Sequence, residues 1–236
     1  MRKVLVLMGD GINSERELAR AFEDVGAEVR LCHVNEMLSN HDLLRSYQLL
    51  ALPGGFSFGD ELRSGKILAE KLKVFTSELK EFLTADGRVL GICNGFQVLS
   101  QLGAFDLGKK KRSFTLTEND HQTFINRWVK LRISLEAKIK SPWFEDLEGS
   151  LLLPVRHREG RIVCAPDTDL PVMALSYQQD VNGSHHNCAA VVSDDGRIFG
   201  LMPHPEVATH AFLYPTREGV EENIAKVRKI FKNGIS

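Results

Sequence analysis

At 236 residues with 43% hydrophobic content, the chain is long enough to bury a sizeable core and lies far from the disordered class. Its 30 Lys and Arg against 31 Asp and Glu leave a net charge of −1, which points away from nucleic acid or an anionic membrane as partner. The 4 cysteines (Cys32, Cys93, Cys164, Cys188) form no C-x-x-C pair, so neither a metal site nor a disulfide framework is implied and a reducing, cytoplasmic setting is expected.

Val4 to Met8 reads as a continuous apolar strand, too short for a signal-peptide core. Ser14 followed by Glu17 is a capping-box pattern, opening a helix through Leu18, Ala21, Phe22 and Val25 to Gly26. Glu28 to His33 is the next strand, and Asn35 to Ser46 a short helix with a connection. Leu49 to Leu52 is a third strand, running into Pro53-Gly54-Gly55. A glycine-bearing loop from Phe56 to Gly65 leads to one long helix, from about Lys66 to Leu83. After the Asp86-Gly87 turn, Val89 to Ile92 is a buried strand, followed by a helix that Gly103 closes.

Crossovers of this length imply a mostly parallel sheet with helices on both faces. The loops after Met8, Leu52 and Ile92 then share the carboxyl-end rim, where ligands gather in such sheets. Beyond Gly103 the character changes. Phe124 to Ile133 alternates, and Leu151–Val155, Ile162–Val163, Val172–Tyr177, Ala189–Val192 and Ile198–Met202 are short strand-like runs. Turn signals at Glu159-Gly160, Asn182-Gly183 and Asp195-Gly196 separate them. The expected fold is a single α/β domain over residues 1–236, with a strand-rich antiparallel second half and a closing helix from Val220 to Phe231.

Cys93 stands at the strand–helix junction between Gly91 and Gly95, the arrangement of a nucleophile elbow with thiol in place of hydroxyl. A helix N-terminus favours thiolate, and the Asn94 amide is placed to donate to an oxyanion. Taken alone, the motif fits a buried structural cysteine equally well. A base must come from elsewhere in the chain. Pro203-His204-Pro205-Glu206 offers a histidine with little backbone freedom and a carboxylate able to orient its far nitrogen.

Gly91-Ile92-Cys93-Asn94-Gly95-Phe96-Gln97 with Pro203-His204-Pro205-Glu206 resembles the class I (triad) glutamine amidotransferases, which have a flavodoxin-like sheet. Pro53 to Asp60, Arg127-Trp128-Val129, Pro154 to Arg161 and Asn182-Gly183-Ser184 extend the resemblance to the glutaminase subunits of phosphoribosylformylglycinamidine synthases. That resemblance implies Cys93, His204 and Glu206 as catalytic residues, Gly55 and Asn94 as the oxyanion hole, and Gly54 and Gln97 as substrate contacts. It also implies L-glutamine as substrate and ammonia delivered to a larger synthetase subunit, with or without a small accessory subunit. ATP and Mg would belong to that partner, and this chain would need no cofactor or metal. The rival readings are a stand-alone hydrolase of another γ-glutamyl compound, the amidotransferase subunit of a different synthetase, and a non-catalytic binding protein.

The family pattern is not followed throughout. Residues 118–126 match the region that holds glutamine's α-groups in relatives only at Asn119 and Phe124, and Arg158 replaces a usual glycine. His185 and His186, adjacent on an extended loop, are expected to point to opposite sides. His157 with Glu159 reads either as a docking element or as a hydrogen-bonded loop histidine. Phe56 and Phe58 read as a lid or as ordinary loop packing, and Lys109 to Arg112 as a solvated turn.

Overall fold

The apolar runs of the first hundred residues become parallel strands because each is covered on both faces by the helices that connect them. The computed structural model describes residues 2–109, 111–168 and 170–236. Its first half contains β1 (Lys3–Met8), α1 (Glu15–Glu23), β2 (Glu28–His33), α2 (Val34–Ser39), β3 (Leu49–Leu52), α3 (Lys66–Leu72), α4 (Thr76–Thr84), β4 (Arg88–Ile92) and α5 (Asn94–Leu102). The second half adds β5 (Phe114–Thr117), β6 (Ile125–Ile133), α6 (Leu135–Lys140), β7 (Ser150–His157), β8 (Arg161–Cys164), β9 (Val172–Tyr177), β10 (Cys188–Val192), β11 (Ile198–Leu201) and α7 (Val220–Gly234).

Nine strands form one sheet in the order β2-β1-β3-β4-β11-β10-β9-β6-β7. β1 to β4 and β11 run parallel; β10, β9, β6 and β7 continue the sheet with antiparallel pairings. β5 and β8 pair separately. The Phe22 and Phe231 rings meet edge to face at 5.1 Å and join α1 to α7, while α3 packs against α5. No helix among the described residues is long and apolar enough to cross a membrane.

Two local expectations are corrected. The capping box does not form: Ser14 has φ −118° and ψ 21°, and its hydroxyl makes no cap bond. An N-cap side chain reaches back along its helix from an extended backbone, which Ser14 lacks. The long helix is broken by a 3-10 turn at Lys73–Phe75, where the Thr76 hydroxyl donates to the Lys73 carbonyl at 2.8 Å. Leu68, Leu72, Phe75, Leu79 and Phe82 stay buried through the break, so the apolar stripe keeps its phase and hides it. The Glu159-Gly160 turn separates β7 from β8 as expected, and the two strands pair elsewhere, β7 with β6 and β8 with β5.

Candidate active site

The parallel register of β4 and β11 puts the loops that follow them side by side at the carboxyl-end rim, with Leu201 opposite Ile92. Cys93 leaves β4 with φ 50° and ψ −105°, a conformation that costs a non-glycine residue on the order of 1–3 kcal/mol. Its neighbours enforce that turn. The Cys93 N–H donates to the Leu201 carbonyl at 2.8 Å. A Cβ on Gly95 would stand 2.0 Å from the Leu52 carbonyl oxygen, and one on Gly91 would stand 2.6 Å from Leu99. Neither position has room for a side chain.

The loop after β1 zips onto the loop after β3. Asn13 N–H donates to Gly54 O at 3.3 Å, Phe56 N–H to Gly11 O at 2.7 Å and Phe58 N–H to Asp10 O at 2.9 Å. The backbone N–H groups of Gly55 and Asn94 have no hydrogen-bond partner among the described residues. The Asn94 side chain ties the elbow to the same loop: its Oδ1 accepts from Ser57 N–H at 3.2 Å and its Nδ2 donates to Asp60 at 3.1 Å. Burial raises the Asp60 pKa against the hydrogen bonds from Gly65, Ser64 and Asn94 that lower it.

Beyond β11, Pro203 bridges Val155, and the His204 N–H donates to the Pro154 carbonyl at 2.9 Å. The histidine is thus anchored to the end of β7 as well as held between two prolines. His204 Nδ1 lies 2.6 Å from Glu206 Oε1, and His204 Nε2 has no partner. Burial opposes a charge on this ring, but Glu206 and Cys93 outweigh it and raise the His204 pKa to about 10. Two opposite charges drawn into one buried site favour each other's ionised forms.

Cys93, His204 and Glu206 line one open cavity of about 230 Å³, together with Gly55, Ser14, Glu17, Phe56, Phe124 and Arg156. The thiol donates weakly to the Arg156 carbonyl at 3.6 Å. Gly54 lies behind this cavity; a Cβ there would come 2.9 Å from His204 Cε1 and 3.5 Å from Cys93 Cβ, so its bareness lets the two groups approach. Gly54, Asn94 and Gln97 are the sequence-derived site residues absent from the cavity lining, and Gln97 is held in the interior. Its Oε1 accepts from Asn94 Nδ2 at 3.0 Å and its Nε2 donates to the Glu159 carbonyl, so both ends of the amide are engaged in the interior.

Other expectations sort in the same way. His157 is a pinned histidine at the end of β7: its Nδ1 meets Asn119 Oδ1 at 3.1 Å, and burial, then the nearby His204 and His121, push its pKa down to about 3. The His185 and His186 rings lie on one side, 4.1 Å apart, because His186 takes φ 49° in a 3-10 turn. Phe56 lines the cavity, whereas Phe58 packs on the core beneath Lys71. In the basic run, Lys109 pairs with Asp194 at 2.8 Å, and Lys110 lies outside the described residues. Ser14, Glu17 and Arg156 were not anticipated at the site. Only the alternation of β7, with Val155 and His157 inward and Arg156 outward, could have marked the arginine.

A family model described as a CobB/CobQ-like glutamine amidotransferase domain matches residues 1–236. The phosphoribosylformylglycinamidine synthase subunit PurQ of Methanococcus maripaludis is 32% identical over 265 residues, covering 99% of this chain and 97% of the relative. The protein of the same name from Parasynechococcus marenigrum is 38% identical over 212 residues, covering 86% and 89%. Among solved structures, a chain of PurLQS from Thermotoga maritima superposes with a TM-score of 0.79 at 30% identity, covering 99% of this chain and 97% of that one. A glutamine amidotransferase from the same organism, at 16% identity and a TM-score of 0.61, shares the fold.

Proposed function

We propose a reaction from the premise that the chain belongs to the CobB/CobQ-like glutamine amidotransferase domain family. It is a class I glutamine amidotransferase, and its role is that of the glutaminase subunit of phosphoribosylformylglycinamidine synthase, in purine biosynthesis. Residues 1–236 act as one glutaminase domain in the cytoplasm and pass ammonia to an ATP-dependent synthetase subunit.

The Cys93 thiolate attacks the side-chain carboxamide carbon of L-glutamine. The oxyanion that forms takes hydrogen bonds from the Gly55 and Asn94 backbone N–H groups, both of which are without partners. His204 Nε2, charged at neutral pH, gives its proton to the departing nitrogen, and ammonia leaves a γ-glutamyl thioester on Cys93. The now neutral Nε2 takes a proton from water, the hydroxide adds to the thioester carbon, and collapse releases glutamate and the thiolate. Glu206 holds the ring in the tautomer that presents Nε2 and supports its charge. Gly54 leaves the space in which nucleophile and base meet.

The observation that carries this reading is the bare Nε2 of His204, aligned through Nδ1 by Glu206 at 2.6 Å, in the cavity that holds Cys93. Glutamate release by the chain with its synthetase partner is the test. Cys93→Ala is expected to lower it by at least about 10⁴-fold, and electrophilic glutamine analogues are expected to label Cys93 alone. Parental turnover in Cys93→Ala would remove the mechanism. Vigorous partner-free cleavage of γ-glutamyl peptides would favour a stand-alone hydrolase instead.

A further inference from the structure

Outside the cavity lining, a run of side-chain hydrogen bonds links the loop after β3 to the turn after β7. Asn94 and Gln97 stand one turn apart on α5, both buried. Asn94 Oδ1 accepts from Ser57 N–H at 3.2 Å, and its Nδ2 donates to Asp60 Oδ1 at 3.1 Å and to Gln97 Oε1 at 3.0 Å. Gln97 Nε2 donates in turn to the Glu159 carbonyl. The Glu159 carboxylate accepts from Ser64 N–H at 3.4 Å, so one residue holds both the relay and the far end of the loop. The direction of the relay is set at Glu159. A backbone carbonyl only accepts, so it selects the Gln97 amide nitrogen. The Gln97 oxygen then faces Asn94 and selects its nitrogen, which leaves Asn94 Oδ1 turned to Ser57.

Gly55 lies two residues before Ser57. A single side chain therefore spans from the helix residue that carries one free N–H to the loop that carries the other. Asp60 also takes a bond from Asn94, but it belongs to the loop and cannot anchor it, whereas Gln97 ties the amide to α5 and to the turn after β7. The loop needs an anchor. Phe58 (φ 53°) and Asp60 (φ 52°) hold left-handed conformations that non-glycine residues keep only where their surroundings impose them. We propose that Gln97 is a positioning residue of the reaction, acting through the Asn94 side chain to hold the Gly55 and Asn94 N–H groups at the spacing one oxyanion requires. This rests on the glutaminase reading and gives Gln97 a task in the transition state, away from the substrate. Donors stabilise an oxyanion fully only when they are in place before its charge develops. Without the relay, glutamine binds and the thiolate forms as before, and the tetrahedral intermediate is held less well.

The test follows glutamate release by the chain with its synthetase partner. Gln97→Met keeps the length of the side chain and removes both hydrogen bonds. It is expected to lower kcat about 10- to 100-fold, less than the loss of a whole oxyanion donor, with KM changed less than about twofold. Gln97→Leu, which also lacks both bonds, is expected to behave alike. Alkylation of Cys93 by iodoacetamide develops no oxyanion and is expected to keep its parental rate in both variants, which separates a lost alignment from a distorted elbow. Asn94→Ala retains the backbone N–H and is expected to lower kcat at least as far. Adding Gln97→Met to it should cost nothing more, because both changes act through one amide. A raised KM at parental kcat would make Gln97 a substrate contact and overturn the proposal, as would independent, multiplying losses in the double variant. Parental kcat in Gln97→Met and Gln97→Leu would overturn it as well and leave the glutaminase reading intact. Absence of glutamate release by the parent complex would overturn that reading itself.

Discussion

The loop after β11 and the end of β7 each bury a histidine at the same rim and treat it in opposite ways. His204 and His157 are 6% and 3% exposed. Each engages Nδ1 within the chain and leaves Nε2 without a partner. His204 faces a carboxylate, which together with Cys93 overcomes burial and raises the ring to about 10. His157 faces the neutral amide oxygen of Asn119, burial prevails, and the ring falls to about 3. Depth in the fold therefore does not decide the charge of a histidine here. The groups that face it do, and they separate an acid–base group from a structural pin.

The strongest way to break the contrast is to give His204 the kind of partner His157 has. Glu206→Gln keeps an acceptor beside Nδ1 and removes the charge. Glutamate release is expected to fall about 10³- to 10⁴-fold, and the His204 proton, followed by NMR, to titrate far below 10. The stability profile should change with it. In the parent, the folded value exceeds the unfolded 6.5, so the stabilisation is complete below pH 6.5 and is lost as pH rises toward about 10. Glu206→Gln should lack that alkaline decline. Near-parental turnover, or a ring still charged at pH 8, would mean that the carboxylate's charge is not what arms the histidine.

The reciprocal exchange is Asn119→Asp, which places a carboxylate beside His157. Its ring is expected to titrate well above 3. The fold should nonetheless weaken, because the Asn119 Nδ2 donates to the Thr123 and His157 carbonyls, both at 3.0 Å, and a carboxylate cannot. Two carbonyls losing their donor should cost about 2–4 kcal/mol in urea unfolding at neutral pH. Glutaminase activity in the surviving folded fraction should not rise, since His157 is absent from the cavity lining. A charged His157 would thus remain without a task, which sharpens the contrast: a carboxylate partner is necessary for the role, and the cavity is its other half.

The two regions also differ in how far they could be read before folding. Cys93 and His204 are legible because each is framed by residues whose constraints are local: glycines that a turn needs, and prolines that restrict an aimed side chain. The strand β3 matches its apolar run residue for residue, since a parallel strand inside the sheet is buried continuously, and the edge strand β2 keeps its expected bounds although only Cys32 of it is buried. The role of His157 depends on Asn119, which reaches it only through the β6–β7 pairing, and no spacing announces that contact. The surroundings of Gln97 are hidden for a similar reason. Its place in the elbow motif says nothing of the Glu159 carbonyl that engages its amide from a distant loop. Ser14 fits a cap by pattern, yet the loop after β3 sets its backbone and its hydroxyl faces Gly54 instead.

The smallest expected effect isolates burial itself. The unfolded chain takes up a proton on His157 below pH 6.5, while the folded ring resists protonation down to about 3. Stability contributed by the neutral ring is therefore complete above pH 6.5 and is lost as pH falls through that window, by up to about 1.4 kcal/mol per pH unit. His157→Gln retains a side-chain donor to Asn119 and removes the titration. It should cost about 1 kcal/mol or less at pH 7.5, yet lose stability more slowly than the parent between pH 6 and 4.5. Carboxylates contribute equally to both proteins in that range, so the difference between the two urea-unfolding slopes belongs to His157. Identical slopes would mean that the folded ring accepts its proton as readily as the unfolded one. Burial would then not be the force that His204 needs Glu206 to overcome.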